Sequence, residues 1–182
     1  ITMQVRSDGK PFEGEAVVDP SLCVSCGICA GSCPTATPFR RMSDLIPGID
    51  LPDRPIAAIR ADAEAEAARI TGEGRIMAFG CINAGTAASL RSDSVGVVAV
   101  NCTGHLPPSF IDYVLSRKLA DGVVVSGCSE NACYNRYGAT WTKHRMDGIR
   151  DPHLRSRVPR DRVKAVWAGR RGANTLAKEV SQ

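Results

Sequence analysis

The chain has 182 residues, a formal net charge of +4 at pH 7 and eight cysteines, and 43% of its residues are hydrophobic. These values predict a soluble chain of two small domains, and no run approaches the roughly 18 apolar residues of a membrane-spanning helix. No signal peptide is visible, and the grouped cysteines predict metal binding in a reducing cytoplasm, not a secreted disulfide framework. The small positive charge identifies no partner.

Two short strands are predicted before the first cysteine. Ile1–Arg6 alternates between apolar and polar residues, as a strand does, and Glu15–Val18 is predicted as the second strand. The intervening residues 7–10, with the sequence Ser-Asp-Gly-Lys, are typical of a turn. We therefore expect a β-hairpin that leads into the cysteine-rich part of the chain.

Four cysteines with the pattern C-x2-C-x2-C-x3-C-P lie at Cys23, Cys26, Cys29 and Cys33. This spacing is typical of iron–sulfur proteins, because closely spaced thiols can surround one corner of a cubane cluster. A zinc knuckle more often has two separated cysteine pairs or histidine partners, and neighbouring thiols rarely persist as disulfides in a reducing compartment. The run therefore predicts a [4Fe–4S] cluster.

The run closely resembles the motif of bacterial-type ferredoxins over about residues 17–39. In that family the fourth cysteine generally ligates a different cluster from the first three, so it stays open whether Cys33 shares a cluster with Cys23. A second run of this kind is missing from the sequence. Since Ile1–Arg6 looks like the strand that follows the first motif of a two-cluster module, we expect the chain to be the C-terminal part of a longer polypeptide.

A helix is predicted after an irregular connector. Residues 35–51 contain several prolines and show no periodic pattern, so they predict a segment without regular structure. Asp53 is predicted as the N-cap of a helix over Ile56–Ile70, with Pro55 in its first turn. The apolar residues of this helix form one stripe: Ile56, Ile59, Ala63, Ala67 and Ile70. We interpret the helix as a structural connection without a chemical role.

The rest of the chain alternates between apolar runs and helical segments. The runs predict buried parallel strands at Arg75–Gly80, Val95–Val100, Gly122–Ser126 and Val163–Trp167. Helices are predicted at 86–91, 108–119, 136–150 and 172–180. The pattern predicts an α/β fold, with a small ferredoxin-like [4Fe–4S] module followed by a flavodoxin-like parallel-sheet domain. The predicted divisions are residues 1–52, a connecting helix over 53–72, and the α/β domain over 73–182.

The remaining four cysteines follow the predicted strands. Cys81 follows the first strand, Cys102 the second, and Cys128 and Cys133 the third. Because the carboxyl ends of parallel strands open on one edge of a sheet, we expect the four thiols to converge there. Several neighbours could provide N–H donors to the sulfurs: Asn83, Gly85, Asn101, Gly104, Ser129 and Asn131.

The residues alone leave three interpretations of this second cysteine set. Each buried cysteine can be a small core residue, although four at strand ends favour a metal site. Four thiolates fit zinc and an iron–sulfur cluster equally well, so the domain can be a zinc-stabilised interaction module or a cluster protein. Free thiols would instead indicate a thiol redox enzyme or sensor.

Three sequence blocks resemble the delta subunit of methyl-viologen-reducing hydrogenase: Met77–Cys81, Val100–Phe110 and Asp121–Tyr134. This iron–sulfur family links hydrogenases, or other electron donors, to heterodisulfide reductase-type complexes. The resemblance implies a [2Fe–2S] cluster that relays electrons and is held by Cys81, Cys102, Cys128 and Cys133. Members usually have further cysteines near the first block, where this chain has Gly80 and Ala84.

The resemblance also implies partners. A flavoprotein like the A subunit of heterodisulfide reductase is expected, with a hydrogenase or a formate dehydrogenase as a further partner. A membrane or quinone module would have to lie in a segment outside this sequence. The basic region 136–171 has no nucleic-acid recognition motif and is interpreted as a solvated face that docks to an acidic partner subunit.

The three histidines are weaker candidates for functional residues than the cysteines. His105 follows Cys102 closely and could ligate a cluster or donate to one, but we interpret it as a hydrogen-bonded loop histidine. His144 and His153 are predicted to face solvent. The sequence contains no Gly-x-Gly-x-x-Gly loop, no P-loop and no nucleophile with a recognisable base. We therefore expect an electron-transfer component without a substrate site of its own.

Overall fold

The computed structural model describes residues 1–7, 9, 11–39, 48–84 and 87–180. The chain begins with a hairpin in which β1 (Thr2–Val5) pairs antiparallel with β2 (Gly14–Val17). The bounds of both strands lie within one residue of the predicted Ile1–Arg6 and Glu15–Val18. The predicted turn over 7–10 falls partly outside the described residues.

A short helix, α1 (Ile28–Ser32), is embedded in the first cysteine run. Gly27 precedes it with a φ of 72°, in the left-handed region that glycine adopts at little cost. The helix ends at Cys33, and the following Pro34 has no backbone N–H with which to extend it. Part of the predicted irregular connector, residues 40–47, lies outside the described residues.

The next helix, α2, spans Ile56–Arg69. The prediction that Asp53 caps it is wrong, because Pro55 occupies the N-cap position. The carboxylate of Asp50 instead accepts a hydrogen bond from the backbone N–H of Ile56 at 2.9 Å. A carboxylate six residues before the helix therefore satisfies one of the free N–H groups at its start.

The apolar stripe of α2 packs on the sheet. Ile59 and Ala63 are fully buried and belong to the same apolar core as Phe79 and Val98. The helix therefore contributes directly to the core of the α/β part of the chain. The division at residues 52 and 72 remains a prediction.

Four parallel strands form the main sheet: β3 (Ile76–Cys81), β4 (Val95–Val100), β5 (Gly122–Gly127) and β6 (Val163–Trp167). Their order in the sheet is β4-β3-β5-β6. The predicted α/β class with a parallel sheet is confirmed. The order matches the first four strands of a flavodoxin-like sheet, but that fold has five strands, so the flavodoxin-like assignment remains a prediction.

Three further helices accompany the sheet: α3 (Ser109–Ser116), α4 (Gly138–Met146) and α5 (Ala173–Val180). The helix predicted over 86–91 is a 3₁₀ turn at Ala87–Leu90, and its first predicted residue is not among those described. The helices predicted over 108–119 and 136–150 are too long. Positive φ values at Lys118 and Gly148 end α3 and α4, and Arg136, which also has a positive φ, lies before the start of α4. None of the helices in the described ranges has the length and apolar character needed to cross a bilayer.

Apolar side chains cover both faces of the sheet. Phe79 on β3 packs edge-to-face against Phe110 of α3, with ring centroids 5.6 Å apart. Ala78, its neighbour on the same strand, points to the other face and packs in a cluster with Leu176 of α5. Because both faces are filled by helices, the carboxyl edge of the sheet is where the chain can form a site.

Candidate metal centres

The second set of cysteines converges at the carboxyl edge of the sheet. Cys81 is the last residue of β3, Cys102 lies two residues after β4, and Cys128 directly follows β5. Cys81 and Cys128 pack in one small cluster with Ala84, and Cys133 contacts that cluster. The convergence expected from the parallel topology is therefore present in the structure.

Gly138 lies between two of these sulfurs at the start of α4. A Cβ atom on Gly138 would lie 2.1 Å from the sulfur of Cys102 and 3.5 Å from the sulfur of Cys133. The next backbone N–H, that of Ala139, donates to the Cys133 sulfur at 3.4 Å. Sequence analysis did not identify Gly138, since a glycine at a helix start has no distinguishing pattern.

Backbone N–H groups surround the sulfurs of this set. The N–H of Gly104 donates to the Cys102 sulfur at 3.4 Å, and those of Asn83 and Ala84 are directed at Cys81. The predicted donor Asn101 instead faces Cys81 with its carbonyl oxygen, 3.6 Å from the sulfur. Gly85, another predicted donor, lies outside the described residues.

The thiols of Cys81 and Cys102 are hydrogen-bonded to each other. A hydrogen bond from Cys102 lowers the pKa of Cys81 to about 6, and the same contact raises the pKa of Cys102. Burial raises the pKa of Cys128, against a hydrogen bond from the N–H of Tyr134. A thiol that loses its proton near neutral pH, with N–H donors around it, is the donor chemistry of a metal-binding thiolate.

The first three cysteines of the ferredoxin-type run also lie close together. Burial raises the pKa of the Cys29 thiol, and the charges of Cys26 and Cys23 raise it further. The N–H of Ser25 donates to the Cys23 sulfur at 3.3 Å. All three cysteines are half-buried, so their loop joins the interior to the surface.

Cys33 has a different environment from the other three. Its sulfur lies 3.0 Å from the Thr35 hydroxyl and lines a cavity of about 240 Å³ together with Pro107 and His153. Burial raises the pKa of Cys33, but hydrogen bonds from the Thr35 side chain and from backbone N–H groups, including that of Ile49, outweigh it and lower the pKa. Cys33 therefore has neighbours that the other three cysteines of the run do not share.

The two cysteine sets meet at one short loop, residues 101–105. The side chain of Asn101 donates to the carbonyl oxygen of Ser25 at 2.8 Å. A Cβ atom on Gly31 would lie 2.0 Å from the Gly104 carbonyl oxygen, so only glycine allows α1 to approach the loop this closely. The loop that contains Cys102 is therefore in direct contact with the ferredoxin-type run.

His105 lies at this contact, with its ring against Gly27. It is fully buried, and neither ring nitrogen has a hydrogen-bond partner among the described residues. The interpretation of His105 as a hydrogen-bonded loop histidine is therefore wrong as far as the described residues can provide a partner. Burial lowers the pKa of His105 to about 4, so the imidazole is neutral at pH 7. His153 is exposed as predicted, whereas His144 is half-buried.

The basic region 136–171 is only partly a solvated face. Arg155 and Arg157 pair with the buried carboxylate of Asp112, at 3.3 Å and 2.6 Å. Arg145 is completely buried, which sequence analysis missed because the run of basic residues around it is typical of an exposed surface. The charge available to an acidic partner is therefore smaller than the composition indicates.

The described side chains form no site for a single metal ion. Among the described residues, no group of three or more His, Cys, Asp or Glu side chains is placed so that it could hold one metal ion. An iron–sulfur cluster places its own irons and sulfides between the thiolates, so its ligand spacing differs from that of one ion.

A parallel sheet with thiols at its edge and a cysteine loop docked against it defines a class: a mixed α/β iron–sulfur protein. Residues 76–182 match the family model described as methyl-viologen-reducing hydrogenase, delta subunit, and residues 16–38 match a 4Fe-4S binding domain. The first match covers more than half of the chain, which therefore belongs to the family of methyl-viologen-reducing hydrogenase delta subunits. The resemblance inferred from the sequence is confirmed.

One curated relative is the A subunit of the ferredoxin:CoB-CoM heterodisulfide reductase of Methanosarcina mazei. It is 27% identical over 93 residues, which are 49% of this chain and 12% of the relative. The chain thus spans a small part of that protein's length. Together with the two family matches, this likeness identifies an iron–sulfur electron-transfer subunit related to hydrogenase and heterodisulfide reductase.

Proposed function

We propose that this chain relays electrons between a [4Fe–4S] cluster at the ferredoxin-type run and a [2Fe–2S] cluster at the sheet edge. The first site is formed by Cys23, Cys26, Cys29 and Cys33, the last of which can serve a neighbouring cluster. The second site is formed by Cys81, Cys102, Cys128 and Cys133. When bound, the two clusters supply one-electron redox chemistry.

The main support for this proposal is that the loop 101–105 contacts both sites. Cys102 is one proposed ligand of the second cluster, while Asn101 is hydrogen-bonded to Ser25 in the first cysteine run. Packing of Gly104 against Gly31 keeps the two loops in contact. This arrangement supports electron transfer within the chain, because the sites share one short segment of backbone.

The residues around the second site control its environment. Cys81, Cys102 and Cys128 are buried, which keeps water away from the sulfurs. The N–H groups of Gly104 and Ala139 donate to sulfurs, and such hydrogen bonds stabilise negative charge and tune a cluster's reduction potential. In this proposal the chain makes and breaks no substrate bonds.

The proposed partner is a flavoprotein similar to the A subunit of heterodisulfide reductase, within a multi-subunit complex. The likeness to the M. mazei protein and membership of a hydrogenase subunit family support this partner. A hydrogenase or formate dehydrogenase would be the further electron donor. The cysteine-rich sites require a reducing compartment, so we propose a cytoplasmic location.

The proposal is tested on anaerobically purified protein by iron and acid-labile sulfide analysis, with low-temperature EPR after reduction. We expect a fast-relaxing signal from the cubane beside a slow-relaxing [2Fe–2S] signal. Zinc together with only the cubane's iron would overturn the relay and indicate a structural interaction module. Four reactive free thiols at the sheet edge would overturn it in favour of a thiol redox enzyme or sensor.

Substitution then assigns the slow-relaxing signal to its residues. Cys102→Ser should abolish the slow-relaxing signal and leave the fast-relaxing one, because the two sites use different cysteines. A slow-relaxing signal of unchanged intensity and shape in Cys102→Ser would contradict the proposed ligand set.

A further inference from the structure

Arg145 is a buried cation at the contact between the two cysteine sites. It is 0% exposed and lies in the last turn of α4. Its guanidinium donates to the Gly104 carbonyl oxygen at 3.0 Å and to the hydroxyl of Ser32 in α1. One side chain thus links the ferredoxin-type run to the loop that contains Cys102.

No carboxylate neutralises this charge within the part of the chain that the structure describes. Both of its hydrogen-bond acceptors are neutral, and its Nε has no partner. Arg157, by contrast, pairs with Asp112 at 2.6 Å. Since a fully buried arginine without a counter-charge is strongly unfavourable, the site requires a negative charge that the described carboxylates do not supply.

Arg145 keeps its charge beside the loop that contains Cys102. Burial lowers the pKa of Arg145 to about 10, helped by repulsion from Arg150. The guanidinium therefore stays protonated at pH 7 and is hydrogen-bonded to Gly104, whose own N–H donates to the sulfur of the proposed ligand Cys102. A cluster with thiolate ligands carries net negative charge, which becomes larger by one when it is reduced.

We propose that Arg145 is the internal counter-cation of the two cluster sites, a positioning residue that favours the reduced state of the cluster at Cys102. This inference rests on the proposed relay function. A fixed positive charge in a poorly hydrated interior stabilises the added electron, because little water is present to screen it. One electron leaves the donor cluster and one enters the acceptor, and no bond forms or breaks.

The charge and the hydrogen bonds of Arg145 can be separated by substitution. Arg145→Gln removes the positive charge. Arg145→Lys keeps the charge but lacks the planar guanidinium group with its several N–H donors. Ser32→Ala removes one hydrogen-bond acceptor and leaves the arginine in place. Arg157→Gln is the matched control, because it neutralises an arginine that is 58% exposed and paired with Asp112.

The experiment is an EPR-monitored redox titration of the full chain with its clusters, following the slow-relaxing signal. In Arg145→Gln we expect the equilibrium constant for reduction to fall about tenfold, which makes the midpoint potential about 59 mV more negative for a one-electron couple. Arg145→Lys, Ser32→Ala and Arg157→Gln should keep the wild-type potential within a factor of about three in that constant.

Two outcomes overturn the inference. Arg145→Gln can keep both signals and the wild-type potential, or, if that variant does not fold, Arg145→Lys can show the full tenfold loss despite its charge. Failure of the relay proposal is distinguishable, because the wild-type protein would then lack the slow-relaxing signal before any variant is compared. The potential and the signal shape are measured without turnover. A purely structural role of Arg145 would leave the potential unchanged.

Discussion

Single glycines determine how closely sulfur, ring and backbone approach one another in this protein. Gly138 leaves room for the Cys102 sulfur, Gly27 for the ring of His105, and Gly31 for the Gly104 carbonyl oxygen. In each case an added Cβ would come within 2.3 Å of the neighbouring atom. These contacts need a residue without a side chain, so their substitution tests the sites directly.

Gly138→Ala tests whether the Cys102 sulfur needs the space beside this glycine. The new methyl group would displace the Cys102 sulfur, so we expect loss of the slow-relaxing EPR signal and a stability loss of about 1–3 kcal/mol. Gly122→Ala is the control, since the nearest atom to its Cβ would be 3.6 Å away, an ordinary contact. A normal slow-relaxing spectrum in Gly138→Ala would show that Cys102 is not held against this glycine.

Cys33→Ser tests whether Cys33 ligates the same cluster as Cys23, Cys26 and Cys29. Because its sulfur has different neighbours from those of Cys23, Cys26 and Cys29, Cys33→Ser should leave the fast-relaxing signal of their cluster in place. Cys26→Ser is the comparison, and it should remove that signal. Loss of the signal in both variants, measured by EPR at equal protein concentration, would mean that Cys33 ligates the same cluster.

At the scale of elements, two helices connect the cysteine run to the sheet in different ways. α1 contacts the loop 101–105 through glycines, and Arg145 of α4 links the two by hydrogen bonds to Ser32 and to Gly104. α2 contributes Ile59 and Ala63 to the core below the sheet. Contact through α1 positions the two sites, whereas contact through α2 stabilises the sheet that holds one of them.

Gly31→Ala tests the first of these contacts. A methyl group at this position would push α1 away from the Gly104 carbonyl oxygen, so the two sites should separate. We expect the magnetic interaction between the two reduced clusters, measured by EPR line broadening, to weaken while both signals remain. Gly122→Ala again serves as the control. Unchanged broadening in Gly31→Ala would refute the role given to this helix contact.

Ile59→Ala tests the second contact. Ile59 is fully buried, so its truncation should lower the free energy of unfolding by about 2–5 kcal/mol. Ile149→Ala is the matched control, because Ile149 is 72% exposed and its loss should cost little. Urea denaturation followed by circular dichroism makes the comparison. Equal costs for the two variants would support a helix that is separate from the sheet, as the division at residues 53–72 implies.

In the molecule as a whole, the second set of cysteines lies at one edge of the sheet, and the packing that stabilises the fold lies on the two faces of the sheet. The strands are held by parallel pairing and by helices on both faces. The second cysteine set lies at the end of β3 and in the loops after β4 and β5, and the loop after β4 also contacts the first set. Clusters bound there would add further connections between these loops.

Removal of the clusters should therefore loosen one edge of the molecule. We expect anaerobic chelation of iron to increase amide hydrogen exchange in residues 101–105 and 128–138, while β3 and β5 stay protected. Mass spectrometry of peptides from the holo and apo proteins makes the measurement. Uniformly faster exchange across the strands would indicate that the whole fold depends on metal.

Much of this protein follows from local sequence. Spacing alone marks the run from Cys23 to Cys33, and short apolar runs predict β4 and β6 with their observed bounds. Parallel topology then predicts that Cys81, Cys102 and Cys128 meet, because strand ends of one sheet share an edge. These features depend on neighbours in the sequence or on a general rule of topology, so no tertiary detail is needed to see them.

The tertiary structure decided the features that depend on distant pairs. Arg145 and Ser32 are 113 positions apart, so nothing near either residue shows that the arginine is buried between two sites. The Asp50 cap, the unpartnered ring of His105 and the close approach of Gly138 to sulfur are decided in the same way. Each depends on which backbone or side chain lies opposite once the chain is folded, and that is a property of packing, not of local pattern.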